Sequence, residues 1–438
     1  MPPTRPQIQV TLQGPADGGD FGPLTPDTRT AGLQEAIDCA HDQGRDVYIW
    51  GGRGGLHRGE GLPGNIYALD EPLRIPWSQD FRLDGGNAVF AYRGERGHAV
   101  HIDSQMNCRY KFGLISSAAP EAAVCFGPAT AGPDDFSVIT ASCFDFSAVC
   151  SSHPQGTSIL LDSRAGLIVN NLIRAEEFNA RGTGLHLSDG GGQGHLIANN
   201  RILIPYGNQY HGGDDCTGLQ LGDPGSAQIV HNRIELSLHA PRGAYFDEEA
   251  GAYATVAGFA PDRAIGARIH AQRNLLDLAF YGRRAPDHDI VFAADARDNT
   301  VRAANLPNGV TNAATVPSNR IAPAWPVGLA VPTPPVPPPE TWAVNDTSYA
   351  VEVFVTDPGQ VSRWALADCG STAQDHPHNL SLVDNLRGTP PDPAPPRPPQ
   401  TLAFDTGLHS GQTFALAPGD RVRFSYARAP AWRWKALP

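Results

Sequence analysis

Between about residues 98 and 320, apolar and polar side chains alternate in short runs, and the three-to-four spacing of an amphipathic helix is almost absent. That pattern predicts a succession of short, half-buried strands. The strands also repeat. "LIVNNLI" ends at Ile173, "LIANNRI" at Ile202 and "QIVHNRI" at Ile234, which sets Asn171, Asn200 and Asn232 in register, with weaker echoes at Asn274 and Asn299. The steps are 29, 32, 42 and 25 residues. A second unit, "TGLHLSD" at 183–189 and "TGLQLGD" at 217–223, recurs at an offset of 34. Units of this period describe a solenoid, and one built of strands and turns is a parallel β-helix. Alternation then sends Leu185, Leu187, Leu219 and Leu221 into the core and His186 and Gln220 outward. The repeated asparagine is expected at a bend, its amide bonding backbone groups and stacking on the next asparagine.

One segment has a clear helical period. Thr30 is the expected N-cap, Leu33, Ala36, Ile37 and Ala40 form one apolar face, and Gly44 suits the C-cap. Short strands follow in "DVYIW", "IYALDEPLRI" and "FRLDGGNAVFAY", separated by a glycine-rich loop. Near residue 331 the composition changes to "VPTPPVPPPE", which reads as a stiff linker. "YAVEVFV", "QTFALAPGDRVRFSYA" and "APAWRWKAL" then read as strands of a small module. Trp432 and Trp434 alternate and so share one side, as core or interface residues or as a platform for sugar rings. The expected regions are 1–97, 98–330 and 331–438.

The helix followed by "VYIW", a glycine loop, "IYALDEPLRIP" and "FRLDGGN" resembles the opening segment of pectin-lyase-like right-handed β-helix proteins, over roughly residues 28–320. The resemblance implies an all-β fold: a right-handed parallel β-helix with an N-terminal capping helix and a small C-terminal β module. It also implies carbohydrate-active chemistry and assembly as a homotrimer.

Composition narrows the classes. The net charge is −12, and no Lys/Arg cluster marks a nucleic-acid surface. The start, "MPPTRPQIQV", has no apolar signal core and no 18-residue apolar run occurs, so a soluble chain, secreted or cytoplasmic, with no membrane partner is expected. The seven cysteines are odd in number and irregularly spaced, with no C-x-x-C, which points to buried free thiols rather than disulfides or zinc. No pattern calls for a metal or a cofactor. "DHD" at 287–289 reads as a turn.

The candidate chemistry lies in two long coils. "GNQYHGGDD" brings His211, Asp214 and Asp215, and "APRGAYFDEEAGAYATVAGFAPD" brings Tyr245, Asp247, Glu248 and Glu249. Inserts from consecutive coils are expected to emerge side by side and wall one cleft. Glycoside cleavage needs one protonated carboxyl to donate to the leaving oxygen and one carboxylate to attack the sugar or activate water. Crowded carboxylates supply that difference by pushing one pKa up. Asp214, Asp215, Asp247, Glu248 and Glu249 are therefore the catalytic candidates. Asp189 and Asp223 share one repeat position, with Asp162 and Asp295 nearby. They read first as turn-shaping residues and alternatively as a stacked acid pair or a calcium site. Together with His211, Tyr245, His186, Gln220, His239 and Arg268 they form the candidate substrate-binding set. Arg268 and the neighbouring His270 suit a substrate carboxylate or simply solvate a strand.

"GDDC" resembles the paired-aspartate motif of polygalacturonases. The resemblance carries catalytic roles to Asp214 and Asp215, and places His239 and Arg268 in "GARIHA" at later positions of the motif set. The chain departs from that family in lacking an N-T-D triplet and a G-H-G, and in having "RIH" for R-I-K. Inulin fructotransferases are similar in coil organisation and in an acidic loop before a "GLQL"-like strand. The first expectation is thus a glycoside hydrolase or transglycosylase acting on an oligo- or polysaccharide. A lyase on a uronate polymer, with Arg268, His211, His239 or Tyr245 as base, and a non-enzymatic, trimeric, tailspike-like glycan binder are the alternatives.

Overall fold

A computed structural model describes residues 7–51, 66–127, 138–162, 167–169, 171–180, 182–188, 195–203, 215–224, 232–239, 244–247, 252–255, 263–281, 288–304, 310–316, 318–325, 331–369 and 398–437, some strands by backbone alone. The chain forms two compact units, 1–315 and 316–438.

The first unit is a right-handed parallel β-helix. Each coil gives one strand to each of two long parallel sheets, and the early coils give a third strand to a short one. Within one circuit, Cys143–Ser151 lies in sheet 1, Thr157–Leu161 in sheet 2 and Leu167–Val169 in sheet 3, before Leu172–Ala180 returns to sheet 1. Parallel strands in one sheet force this crossover path, and the right-handed sense follows from strand twist. The register stacks like on like. In sheet 1 a column passes through Ile8, Val47, Leu83, Tyr110, Phe144, Ile173, Ile197, Ile234, Leu276 and Val301, each at most 1% exposed. The Tyr110 and Phe144 rings lie 5.2 Å apart and nearly parallel, as do Phe112 and Phe146 at 5.3 Å. In sheet 2 Leu185 stacks on Leu219 and Leu187 on Leu221, all fully buried, while His186 and Gln220 face outward in one column, as the alternation predicts. Each buried aliphatic side chain contributes about 1.5–3 kcal/mol.

The helix Leu33–Gln43 caps the coil and buries Leu33, Ala36, Ile37 and Ala40. Gly44 ends it at φ 61°. The N-cap position falls to Gly32, but the Thr30 hydroxyl still accepts the Gln34 amide at 3.1 Å. No helix among the described residues is long and apolar enough to cross a membrane.

The asparagine repeat marks a real corner, but with one rung reassigned. Where sheet 3 hands over to sheet 1, a single left-handed residue turns the chain: Asp80, Asn107, Ala141, Arg273 and Asp298 all have φ between 52° and 56°. The next residue in each coil forms a ladder. The Cys108 amide donates to Ser142 Oγ (3.0 Å), Ser142 N to Asn171 Oδ1 (3.0 Å), Asn171 N to His195 Nδ1 (3.2 Å), His195 N to Asn232 Oδ1 (2.9 Å), Asn232 N to Asn274 Oδ1 (3.1 Å) and Asn274 N to Asn299 Oδ1 (3.1 Å). His195, not Asn200, occupies the rung between Asn171 and Asn232. Ile197 pairs with Ile173 and Ile234, whereas Asn200 lies beyond a register irregularity, opposite Leu236. The steps are accordingly 24 and 37 residues rather than 29 and 32. A histidine qualifies because Nδ1 sits where an asparagine holds Oδ1, and accepting from an amide fixes its proton on Nε2.

The second unit is an antiparallel sandwich. One sheet contains Trp342–Val344, Arg421–Tyr426, Val361–Ala367 and Thr401–Phe404, and the other Thr413–Leu416, Val351–Asp357 and Ala431–Ala436. Trp364 against Phe414 and Phe424 against Trp432 join the sheets. Trp432 and Trp434 share the inner side and are buried, so they form core rather than a sugar platform. The Pro-rich stretch runs along this sandwich, with Pro334 O accepting from Trp432 Nε1 at 2.8 Å. Of the cysteines whose side chains are described, all free, Cys108, Cys125 and Cys150 are buried as expected, but Cys39 and Cys143 are half-buried and Cys369 is exposed. Burial pushes the Cys125 thiol up to about 12.

The ladder makes a sharp prediction. His195→Leu leaves the buried Asn171 amide without an acceptor and lowers unfolding free energy by about 1–3 kcal/mol. His195→Asn restores an acceptor at the same place and recovers most of that loss. Chemical denaturation of the two variants checks it.

Candidate functional site

The corner where sheet 1 hands over to sheet 2 is short in most coils, spanning residues 152–156 in one and 181–182 in the next. Two consecutive coils enlarge it. The first insert leaves after Leu203 and rejoins at Asp215, and the second leaves after His239 and rejoins at Arg263. Leu203 and His239 are register partners in sheet 1, and Asp215 and Arg263 are register partners in sheet 2. Both inserts are therefore rooted at one corner on adjacent rungs, about 4.8 Å apart. The second contains an antiparallel hairpin, Ala244–Asp247 with Ala252–Thr255, in which Tyr245 pairs with Ala254 and Asp247 with Ala252.

Of the candidates, Asp215, Asp247, Tyr245 and His239 lie on described backbone at these roots or in the hairpin. Asp214, Glu248, Glu249, His211 and Asp189 lie outside the described residues. His239 ends its sheet 1 strand opposite Tyr281, one side of the same corner.

Four candidates are described in full, and they converge on the outer face of sheet 2. His186, Gln220 and Arg268 form one outward column on three consecutive rungs. Gln220 Nε2 donates to its own strand's end at Gly222 O, 2.6 Å away. Asp223 does not stand as a bare turn residue: its Oδ1 lies 3.1 Å from His186 Nε2 of the preceding coil. A second couple follows higher up, His270 Nδ1 to Asp295 Oδ1 at 2.9 Å. Asp162 aligns one position earlier than Asp223 and accepts from the Ser188 hydroxyl at 2.9 Å. The Arg268 guanidinium, half-exposed between these couples, makes no ion pair or hydrogen bond among the described residues. Of the "DHD" stretch, Asp287 lies outside the described residues, while His288 and Asp289 open a strand rather than a turn, with Asp289 fully buried and His288 Nδ1 3.0 Å from the Thr311 hydroxyl.

The result is a polar strip with a half-exposed cation at its centre and two carboxylate-oriented imidazoles beside it. An imidazole held by a carboxylate can exchange a proton, and a guanidinium can clamp an oxyanion. The acidic inserts are rooted at the N-terminal ends of the same sheet 2 strands, five residues before Gln220 and Arg268, or about 16 Å along the strand. The two cross-coil couples escape sequence reading because each joins residues 37 or 25 apart, a distance set by coil length.

No family model and no curated protein matches the chain. Among solved structures, the enzymatically active domain of tailspike protein 2 from bacteriophage CBA120 is similar at 11% identity and a TM-score of 0.27, over 95% of this chain and 79% of that one. A doubly substituted tailspike of E. coli bacteriophage HK620 is similar at 10% identity and a TM-score of 0.20, over 98% and 92%. At these scores the likeness carries no functional argument, and the fold rests on the chain's own registers.

One group on the same face titrates abnormally. His98 stacks 6.1 Å from His101, and its Nδ1 accepts the Ala122 amide at 3.2 Å. Burial holds this imidazole below its ordinary 6.5, against the opposing pull of the Ala122 backbone and of Glu121 and Asp162. The folded state thus prefers the neutral ring. The stability from that preference is present above 6.5 and is lost as pH falls through it. His98→Asn keeps an acceptor for Ala122 and removes the titration, so its thermal stability falls less than that of the parent between about pH 7 and 5.

Proposed function

We propose that the chain is a carbohydrate-active enzyme of the pectin-lyase-like type, a glycoside hydrolase or transglycosylase that cleaves an oligo- or polysaccharide with two carboxylates. The observation that carries this reading is the shared root of the two acidic inserts on adjacent rungs, at the start of the strands that further on carry Gln220 and Arg268. One acid comes from the first insert, Asp214 or Asp215, and its partner from Asp247, Glu248 or Glu249. One donates a proton to the leaving oxygen while the other attacks the sugar or activates water. Gln220, His186 and Arg268 hold saccharide along the strip, with His211, Tyr245 and His239 at the corner. Asp223 positions His186, and Asp189 is a further candidate for substrate binding. The active assembly is a homotrimer.

Asp214→Asn, Asp215→Asn and Glu248→Gln or Glu249→Gln are expected to lower kcat by about 100- to 10,000-fold while leaving the thermal transition in place. A screen of fructans, glucans and uronate polymers, read by reducing ends, finds the substrate. Full turnover in all four variants would refute the two-carboxylate mechanism.

Arg268 favours a second reading, a lyase on a uronate polymer. A cation without a counter-ion among the described residues is what neutralising a uronate carboxylate requires before proton abstraction. Ultraviolet absorbance from an unsaturated product, lost in Arg268→Gln, separates this outcome from hydrolysis.

A further inference from the structure

The early coils carry a different feature, at the corner between sheets 3 and 1, away from the inserts. A cavity of about 690 Å³ opens there on the outer face of sheet 1, within the range of ordinary ligand sites. Its lining includes Arg82, Arg109, Lys111, Asp84, Asn107 and Gln7. Arg82 and Arg109 are direct register partners on adjacent strands, both outward and exposed. Neither guanidinium makes an ion pair or side-chain hydrogen bond among the described residues. The backbone amides of both are engaged, Arg82 N with Asp46 Oδ1 and Arg109 N with Phe81 O, so strand pairing fixes where the two side chains start.

Two like charges set directly opposite one another disfavour the sheet. Two positions further along the same strands the design is the reverse: Lys111 lies between Asp84 and Asp145 in register, with its ammonium 4.0 Å from Asp84. The chain brackets Lys111 with two aspartates, whereas the Arg82–Arg109 pair has only Asp46 beside it, whose Oδ1 takes the Arg82 amide and not its guanidinium. A guanidinium pair one strand spacing apart matches the two oxygens of a carboxylate, or two oxygens of a sulfate, through charge-assisted hydrogen bonds. Around it, the Gln7 amide, the oxygen of the Asn107 side-chain amide, whose nitrogen donates to Asp80, and the Asp84 carboxylate, one oxygen of which accepts the Gly86 amide, offer donors and acceptors of the kind that hold hydroxyl groups.

We propose that this cavity is a second saccharide site, which takes an acidic sugar unit with its oxyanion on Arg82 and Arg109 and its hydroxyls on Gln7, Asn107 and Asp84. The oxyanion half stands on the arginines alone; the saccharide half rests on the functional reading above. The site holds a charged chain on the coil without taking part in its cleavage.

The test is calorimetric titration of the full chain with trigalacturonate, with maltotriose as the neutral control and sodium sulfate as the bare anion. The Asp214→Asn/Asp215→Asn background keeps the ligand uncleaved and separates this site from turnover. Trigalacturonate binding that weakens about tenfold or more in Arg82→Gln/Arg109→Gln and falls with added salt is the expected result. Unchanged binding in the arginine variant overturns the site. Maltotriose binding equally well overturns the oxyanion assignment. Sulfate binding without trigalacturonate binding overturns the saccharide assignment. Arg82 and Arg109 are exposed, and an unaltered circular dichroism spectrum of each variant shows that any loss is not unfolding. Loss of turnover in the aspartate background alone concerns the cleavage site and leaves this assignment standing.

Discussion

The coil depends on one hydrogen bond repeated at one corner. Where each coil turns from sheet 3 into sheet 1, a buried backbone amide points along the axis rather than within a sheet. Left unpaired it would cost about 1–3 kcal/mol per rung. From Cys108 to Asn299 the chain answers with a side-chain acceptor from the next coil: Ser142, Asn171, His195, Asn232, Asn274 and Asn299. Only a short side chain with an acceptor close to its backbone reaches. From Cys108 to Asn299 the corner therefore fixes the register of each coil with the next, and the inward columns of both long sheets follow from it there.

Because register is fixed there, the opposite corner is free to vary. Each coil contacts mainly the coils beside it, so stability is close to a sum over neighbours. Lengthening one loop costs only slowly growing closure entropy. The inserts after Leu203 and His239 exploit this freedom without disturbing the paired strands beneath them. Two loops of different length still share one root, since the strands that carry them cannot slip.

The outer faces show how the same scaffold can be neutral or reactive. On sheet 2, His186 and His270 each meet a carboxylate from the following coil, while Arg268 between them has no partner among the described residues. On sheet 1, Lys111 sits between two aspartates while Arg82 and Arg109 face each other. Cross-strand neighbours about 4.8 Å apart interact, and it is this imbalance that the two proposed binding surfaces rest on.

Much of the fold was legible in the chain. The "TGLHL" and "TGLQL" units display inward and outward positions directly, because alternation is a local property of a strand. The helix face and the Gly44 cap are local in the same sense. The two acidic inserts were visible as interruptions of the repeat. What the chain could not display was anything settled between coils. His195 took a rung that the pattern gave to Asn200, because a histidine and an asparagine share only the position of one acceptor atom, and similar strings of letters do not record it. Asp223 went to His186, and Arg82 came to face Arg109, through coil lengths that vary from 24 to 42 residues. Alternation along a strand belongs to the sequence, while the identity of the neighbour across the coil belongs to the register, and the register is set only when the corner amides find their acceptors.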